Sequence, residues 1–375
     1  MWEYLFLGLS LFYAGLIMFF FSGILRERGR REPPSGWQPL VTVVVPARDE
    51  AAGIHRTLES LARQTYPATH LEVIFVDDDS RDATPAIIRD FIDTRRLAHF
   101  QLRTHHNDTL KRTYKKSAVA FGIHHSSGEV ILTTDADCSV PPDWVASMVR
   151  CYAPDTGLVA GLITFDPAAE RNLFHRLQTL EFAGLVFAGV GAIGNRYPLI
   201  CNGSNLSYRR AAFEEVGGFG GHEHVPSGDD DLFMQNIHHH TEWKIRYNLD
   251  RAAINLTTPM DTLGQFLNQR ARWASKSTEY PGLLTFLLLF LLYLFYLMLL
   301  ILTPVTLLGY FSWKFLLAGF MLKLIPELLV IYQALSVLGR RKLLRLLVWA
   351  EAVQIPYIVL AGFAGFFNFF RWKQK

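Results

Sequence analysis

The sequence predicts an α/β protein with a mostly parallel sheet, set between hydrophobic segments long enough to cross a membrane. Three observations predict it. β-Branched runs alternate with helical patterns as βαβα from residue 40 to the helix that begins at Thr84-Pro85. Acidic residues cluster just beyond the buried runs, and apolar residues pile up at both ends of a 375-residue chain that is 50% hydrophobic and 19% charged.

In chain order, Trp2 to Leu25 is almost wholly apolar except for Glu3, long enough at 1.5 Å per residue to cross a hydrocarbon layer of roughly 30 Å. A cleaved signal peptide starts with basic residues, whereas this segment starts with Glu3 and is followed by Arg26, Arg28, Arg30 and Arg31, which predicts a retained anchor. By the positive-inside rule those arginines place the next segment in the cytosol, after a linker at Pro33-Pro34-Ser35-Gly36. The expected domains are an anchor (1–26), a linker (27–39), a cytosolic catalytic domain (40–281) and a membrane region of about three helices (282–375). Three cysteines without zinc spacing suit a reducing compartment. The net charge of +3 is too small to argue for nucleic acid, and no basic and aromatic binding surface is evident.

Leu40-Val41-Thr42-Val43-Val44-Val45-Pro46 reads as a central strand buried on both faces, and Gly53 to Gln64 as a helix with Ile54, Leu58 and Leu61 on one face. Leu71 to Val76 is a second buried strand, leading through Asp77-Asp78-Asp79 into a helix with proline in its first turn. Val130-Ile131-Leu132 is a third, ending at Thr133-Thr134-Asp135-Ala136-Asp137-Cys138, and Leu158 to Ile163 a fourth. Phe174 to Ile193 is apolar and rich in small residues, either a core helix or one lying at the membrane face.

In open parallel sheets the ligand lies beyond the carboxyl ends of the strands, where Pro46 to Glu50, Asp77 to Asp79 and Asp135-Ala136-Asp137 all fall. Alternate residues on a strand point to one side, so Asp135 and Asp137 can converge on one hard cation, Mg2+ or Mn2+. The alternative is an acidic turn after a strand. There is no glycine-rich phosphate loop, which argues against a dinucleotide oxidoreductase or a P-loop ATPase; a metal with Lys115 or Lys116 would have to hold any phosphates.

Five stretches, Val45-Pro46-Ala47-Arg48-Asp49-Glu50, Val76-Asp77-Asp78-Asp79-Ser80, Asp135-Ala136-Asp137, Ser227-Gly228-Asp229-Asp230-Asp231 and Gln269-Arg270-Ala271-Arg272-Trp273, occur in the order of a membrane-anchored family 2 glycosyltransferase with the Rossmann-like GT-A fold, which the chain resembles over about residues 40 to 280. The resemblance implies inverting, metal-dependent transfer from a nucleotide sugar, usually a UDP-sugar. Carried over, Pro46, Arg48, Glu50, Asp77 and Asp78 would meet base and ribose, Lys115 and Lys116 the phosphates, and Asp135 and Asp137 the sugar diphosphate and metal. Asp230, with Asp229 beside it, matches the family's catalytic base. Asn202 and Asn205 match an acceptor-side loop, and Gln269, Arg272 and Trp273 would meet donor diphosphate and acceptor sugar. Asp79 stands where glycine is common, and Tyr114 departs from the usual Gly-Lys-Lys.

Candidate spans follow at about Leu283 to Leu308, Phe315 to Leu338 and Leu347 to Phe370. Arg371, Lys373 and Lys375 would lie outside, against the positive-inside rule, if the last of these crosses fully. Lys323 and Glu327, four apart, would pair within hydrocarbon or line a polar path. Two functional readings result: addition of a sugar to a lipid or glycan acceptor at the membrane, or processive polysaccharide synthesis with export. Three C-terminal spans are few for a private channel, so the second reading needs a homo-oligomer or a partner.

Overall fold

The computed structural model describes residues 2–30, 36–106, 115–220, 229–280 and 282–370. Outside them lie Arg31, the linker residues Pro33, Pro34 and Ser35, Tyr114, Ser227, Gly228 and the basic residues Arg371, Lys373 and Lys375. The first helix, α1 (Trp2–Gly29), is followed by β1 (Val41–Ala47), α2 (Ile54–Leu61), β2 (Leu71–Asp78), α3 (Thr84–Arg95), β3 (Phe100–His105), α4 (Lys115–His124) and β4 (Val130–Thr133). Then come α5 (Trp144–Arg150), β5 (Thr156–Gly161), β6 (Ile163–Phe165), α6 (Leu173–Gly194), β7 (Leu206–Arg209), α7 (Arg210–Glu215), α8 (Asp231–His240), β8 (Lys244–Asn248) and β9 (Asn255–Thr257). The chain finishes with α9 (Leu263–Ala274), α10 (Leu283–Leu307), α11 (Trp313–Val337) and α12 (Leu347–Phe366).

These elements form two compact units: Arg26–Asp166 with Ala192–Thr258, and Met1–Leu25 with Pro167–Gly191 and Pro259–Lys375. The sequence-based partition at residues 40 and 281 differs from this division, because most of α6 and all of α9 cluster with the apolar helices. The first unit holds a seven-stranded sheet in the order β3-β2-β1-β4-β7-β5-β8, antiparallel only where β7 meets β4 and β5, and a parallel pair β6-β9. Valines at alternate positions of β1 (Val41, Val43, Val45) join Ile54 and Leu58 of α2, Phe75 of β2 and Trp144 of α5 in one buried core. On the other face α4 lies so close that a Cβ on Gly122 would stand 2.6 Å from Val44 Cγ1, so no larger residue fits there. The stretch Leu158 to Ile163 is not one strand: β5 ends at Gly161 and β6 begins at Ile163, each pairing in a different sheet.

In the second unit α1, α10, α11 and the stretch 341–366 containing α12 are apolar and long enough to cross a membrane, as is α6. In α6 72% of the most apolar stretch is buried, which favours a packed helix over one spread on a membrane face. Phe6 and Tyr13 of α1 pack with Phe295, Tyr296 and Leu299 of α10 and Val359 of α12. Helix α9 starts with a reciprocal cap, Thr262 Oγ1 accepting from Gln265 N and Gln265 Oε1 from Thr262 N.

Candidate active site

The acidic strand ends share one edge of the sheet. Ala47 of β1 stands opposite Asp77 of β2, Asp78 opposite His105 of β3, and Val44 of β1 opposite Thr133 of β4, so residues following β1, β2 and β4 emerge on the same side. The first two ends are laced together: Asp49 N donates to Ser80 Oγ (3.1 Å), Arg81 N to Asp49 Oδ1 (2.8 Å) and Glu50 N to Thr84 Oγ1 (2.8 Å). Asp49 and Asp79 both adopt left-handed backbone, at φ 53° and 56°. Asp79, which departs from the glycine common in the resembling family, therefore keeps the conformation glycine would supply.

Asp77 and Asp78 are both buried. Asp78 Oδ1 lies 2.9 Å from His105 Nδ1, and its Oδ2 lies 3.7 Å from Arg48 Nη1. Burial pushes the Asp78 carboxyl above its ordinary range, with His105 and Arg48 opposing. Pro46 lies inside β1 opposite Val76, and Lys116 is buried in the first turn of α4.

At the third end Lys115 makes the junction. Its Nζ stands 2.5 Å from Asp135 Oδ1 and 3.3 Å from Asp229 Oδ2. Burial pulls its pKa down, but the Asp135 and Asp229 carboxylates outweigh it and hold the ammonium well above its ordinary range. Asp230 is the N-cap of α8; its Oδ1 accepts from Asp231 N (2.8 Å) and its Oδ2 from Gly203 N (3.3 Å). A Cβ on Gly203 would lie 3.2 Å from Asp229 Oδ2 and 3.6 Å from Lys115 Nζ, so this backbone is a wall of the cluster. Thr133 Oγ1 donates to Gly203 O (2.7 Å), tying β4 to that wall.

Asp135, Asp137 and Cys138 can bring one ligand atom each within 4.8 Å of the others. Burial and the Asp137 and Asp135 carboxylates push the Cys138 thiol well above its usual value, and a soft sulfur suits a hard cation poorly. Two carboxylates with solvent access remain, a donor set that fits a hard divalent cation sharing its shell with phosphate and water. The loop is held from behind by α2: Thr57 Oγ1 lies 2.7 and 2.6 Å from the carbonyls of Ala136 and Cys138, and Arg56 donates to Asp137 O. Thr57, Arg56 and His105 were not singled out from the sequence. Each acts on a partner at least 27 residues away, and no local spacing announces it.

One assignment is corrected. Asn205 was expected to reach an acceptor hydroxyl, but its side chain is fully buried: Oδ1 accepts from Trp144 Nε1 (2.9 Å), and Nδ2 donates to the carbonyls of Leu162 and Ala253 (2.7 Å each). With each polar atom engaged inside the core it has nothing to offer a sugar. Asn202, by contrast, is partly exposed. Gln269, Arg272 and Trp273 lie on α9, in the unit of apolar helices, all half-buried. Their neighbour Arg270 forks onto Glu181 of α6.

A mostly parallel sheet with three acidic ends on one side, and a lysine joining two of its carboxylate clusters, defines an α/β protein built to handle a charged ligand at that edge. Comparison with known proteins then gives the family. The profile described as glycosyl transferase family 2 matches residues 42–217, and that of glycosyl transferase family group 2 matches residues 130–359. The chain belongs to the family 2 glycosyltransferases. It is 32% identical over 200 residues to glycosyltransferase AglE of Haloferax volcanii, covering 51% of this chain and 59% of that protein. To the beta-monoglucosyldiacylglycerol synthase of a Synechocystis species it is 27% identical over 252 residues, covering 63% and 47%. The chain thus spans about half the length of these curated relatives. Among solved structures, a mannosyltransferase of Pyrobaculum calidifontis in complex with GDP-Man and Mn2+ superposes with a TM-score of 0.61 at 18% identity, over 98% of this chain and 99% of the other, and shares the GT-A fold.

Proposed function

We propose that the protein transfers a sugar, with inversion, from a nucleotide-sugar donor to a lipid or glycan acceptor held at the membrane. The observation that carries this is the junction of Asp135, Lys115, Asp229 and the Asp230-capped helix at the carboxyl edge of the sheet. In this reading Pro46, Arg48, Glu50, Asp77 and Asp78 receive base and ribose, while Lys115 and Lys116 face the phosphates. Asp135 and Asp137 would hold Mg2+ or Mn2+, which supplies positive charge to the leaving diphosphate. The acceptor oxygen attacks the anomeric carbon from the face opposite the phosphate, its proton passes to the Asp230 carboxylate, and the bond from the anomeric carbon to the phosphate oxygen breaks with its electrons on the nucleoside diphosphate. Asn202 belongs to the acceptor side. Gln269, Arg272 and Trp273 are assigned to donor diphosphate and acceptor sugar, an Arg fork suiting phosphate and an indole suiting a sugar ring.

The lipid acceptor draws support from the five helices among the described residues that are apolar and long enough to span a membrane, and from the Synechocystis relative, named for a glycolipid product. Since the Pyrobaculum neighbour carries GDP-Man and the family resemblance favours uridine, the donor screen has to span both bases. The full chain, in liposomes made from extracted membrane lipid, is given UDP- and GDP-sugars, and nucleotide release is followed with EDTA and after Mg2+ or Mn2+ is restored. We expect release from one donor class, lost with EDTA and recovered with metal, and a lipid heavier by one sugar on mass analysis. EDTA-resistant turnover would remove the metal from the reading, and a ladder of products would favour processive synthesis.

A further inference from the structure

The best-anchored side chain near the assigned Gln269 and Trp273 is Arg270. Only 5% exposed, it donates through Nε to Glu181 Oε1 (3.0 Å), through Nη2 to Glu181 Oε2, and through Nη1 to Gln269 Oε1 (2.6 Å). Its guanidinium lies over two rings of its own helix, 4.2 Å from the Trp273 centroid and 4.6 Å from that of Phe266. Those rings sit at i+3 and i−4, the positions that share a helix face with Arg270. The far side of the carboxylate is fixed as well: Tyr357 of α12 donates to Glu181 Oε1 (3.0 Å), and Tyr357 stands edge-on to Phe266 at 5.3 Å. Helix α12 presses directly on α9 nearby, since a Cβ on Gly365 would fall 2.7 Å from Ala271 O. On the α6 side Phe182, next to Glu181, contacts the Trp273 indole at 5.8 Å.

From this arrangement we infer that Glu181, through Arg270 and with Tyr357, is a positioning residue for glycosyl transfer: it sets the orientation of Gln269 and Trp273. The inference rests on the reading above, which gives those two residues contact with donor and acceptor. The physical argument is one of linkage between neighbours. Among the described residues the guanidinium is the most direct tie of Gln269 and Trp273, bonding one and stacking on the other. The guanidinium is in turn held flat by a bidentate carboxylate, the geometry that Arg and Glu favour most. Without the carboxylate a nearly buried cation loses its counter-charge and must turn toward water. It then leaves the indole face and releases the Gln269 carbonyl.

Glu181→Gln keeps the size and removes the charge, and Tyr357→Phe removes one hydrogen bond from the same carboxylate. Both are made in the full chain beside Trp273→Ala and the double variants. For Glu181→Gln turnover is expected to fall at least about tenfold, since small misplacements of positioning groups cost up to about a hundredfold; Tyr357→Phe falls less. The two losses should not multiply in Glu181→Gln/Trp273→Ala, because the first acts through the second. A readout independent of any donor is the 19F spectrum of chain labelled with 5-fluorotryptophan, with the Trp273 line identified by its absence in Trp273→Phe. That line should shift or broaden in Glu181→Gln while the others hold. An unmoved Trp273 line, or losses that multiply, overturns the positioning role and leaves the functional reading intact. Full turnover in Trp273→Ala overturns both the assignment of Trp273 and the inference built on it.

Discussion

Replacing Asn205 by leucine should destabilise the sheet unit without selectively weakening acceptor binding. Leucine has the branched outline of asparagine with bulkier methyl groups in place of the amide atoms, so overpacking adds to a loss that is chiefly polar. Trp144 Nε1, on a fully buried indole, loses its acceptor, and the Ala253 carbonyl loses the amide at 2.7 Å. The Leu162 carbonyl is less affected because Asn255 N still donates to it at 2.9 Å. Two orphaned buried groups at about 1–3 kcal/mol each give about 2–6 kcal/mol. For a unit of this size roughly 2–4 °C is lost per kcal/mol, so the middle of that range lowers the melting temperature by roughly 8–16 °C. Tryptophan fluorescence on heating the full chain in detergent reads the change, since Trp144 is one of the groups orphaned. Gly161→Ala is a second route to the same end, because its Cβ would fall 2.3 Å from Asn205 Oδ1. The reasoning is refuted if Asn205→Leu melts within a degree of the parent while the acceptor KM rises, for then the amide reaches the sugar after all.

At the site itself, Gly203→Ala should lower nucleotide release about tenfold, equivalent to about 1.4 kcal/mol, with little loss of melting temperature, since its Cβ enters at 3.2 Å from Asp229 Oδ2 and displaces side chains rather than backbone. Unchanged turnover would show that the Asp229–Lys115 arrangement tolerates the shift. Lys115→Met, measured by donor titration, should raise the donor KM at least about tenfold by removing a cation from the proposed phosphate site and leaving Asp135 and Asp229 without their shared partner. The pH dependence has a defined sign. Because the folded pKa of Lys115 is raised, its ionic contribution is complete below the unfolded value of about 10.4 and fades only as pH climbs through the higher folded value. Lys115→Arg should therefore leave the shape of the profile from pH 6 to 9 unchanged, and a new alkaline limb in that window would contradict the assignment.

Where the sequence is readable, an unbroken apolar run makes it so, in strands buried on both faces and in helices long enough to cross a membrane. The runs at 40–46 and 71–76 reappear as β1 and β2, and the three apolar blocks near the end as α10, α11 and α12 within a few residues. Such segments are nearly continuous in apolar residues and need no knowledge of a neighbour. Edge and switched strands were harder. Phe100–His105 is half polar, and Leu206–Arg209 follows straight on Asn205, its strand character coming from antiparallel pairing with β4 and β5. The motifs located the acidic strand ends but said nothing of what seats them. Thr57 under the Asp135 loop, His105 on Asp78 and Glu181 on Arg270 are contacts across 79, 27 and 89 residues. Asn205 was misassigned for the same reason, since an amide in a glycine-bearing loop reads alike whether it faces water or a buried tryptophan.

The pair Lys323 and Glu327 shows what the fold adds to a readable spacing. From the sequence it either paired inside hydrocarbon or lined a polar path. Lys323 is fully buried, and its ammonium has three protons to give. Three acceptors meet it: Glu327 Oε2 at 2.9 Å, Gln354 Oε1 at 2.7 Å, and Glu351 Oε2. Tyr296 donates to Glu327 Oε1 at 3.3 Å, Tyr13 donates to the same oxygen, and the two hydroxyls lie 3.0 Å apart. The cluster therefore draws on α1, α10, α11 and α12 and leaves the lysine no donor for a passing substrate. Apolar helices in lipid gain little from burying more apolar surface, so a saturated polar tie fixes which helices pack and in what register. That favours an interhelical lock over a polar path, and it gives the apolar unit an internally fixed seat from which Tyr357 of α12 can hold Glu181.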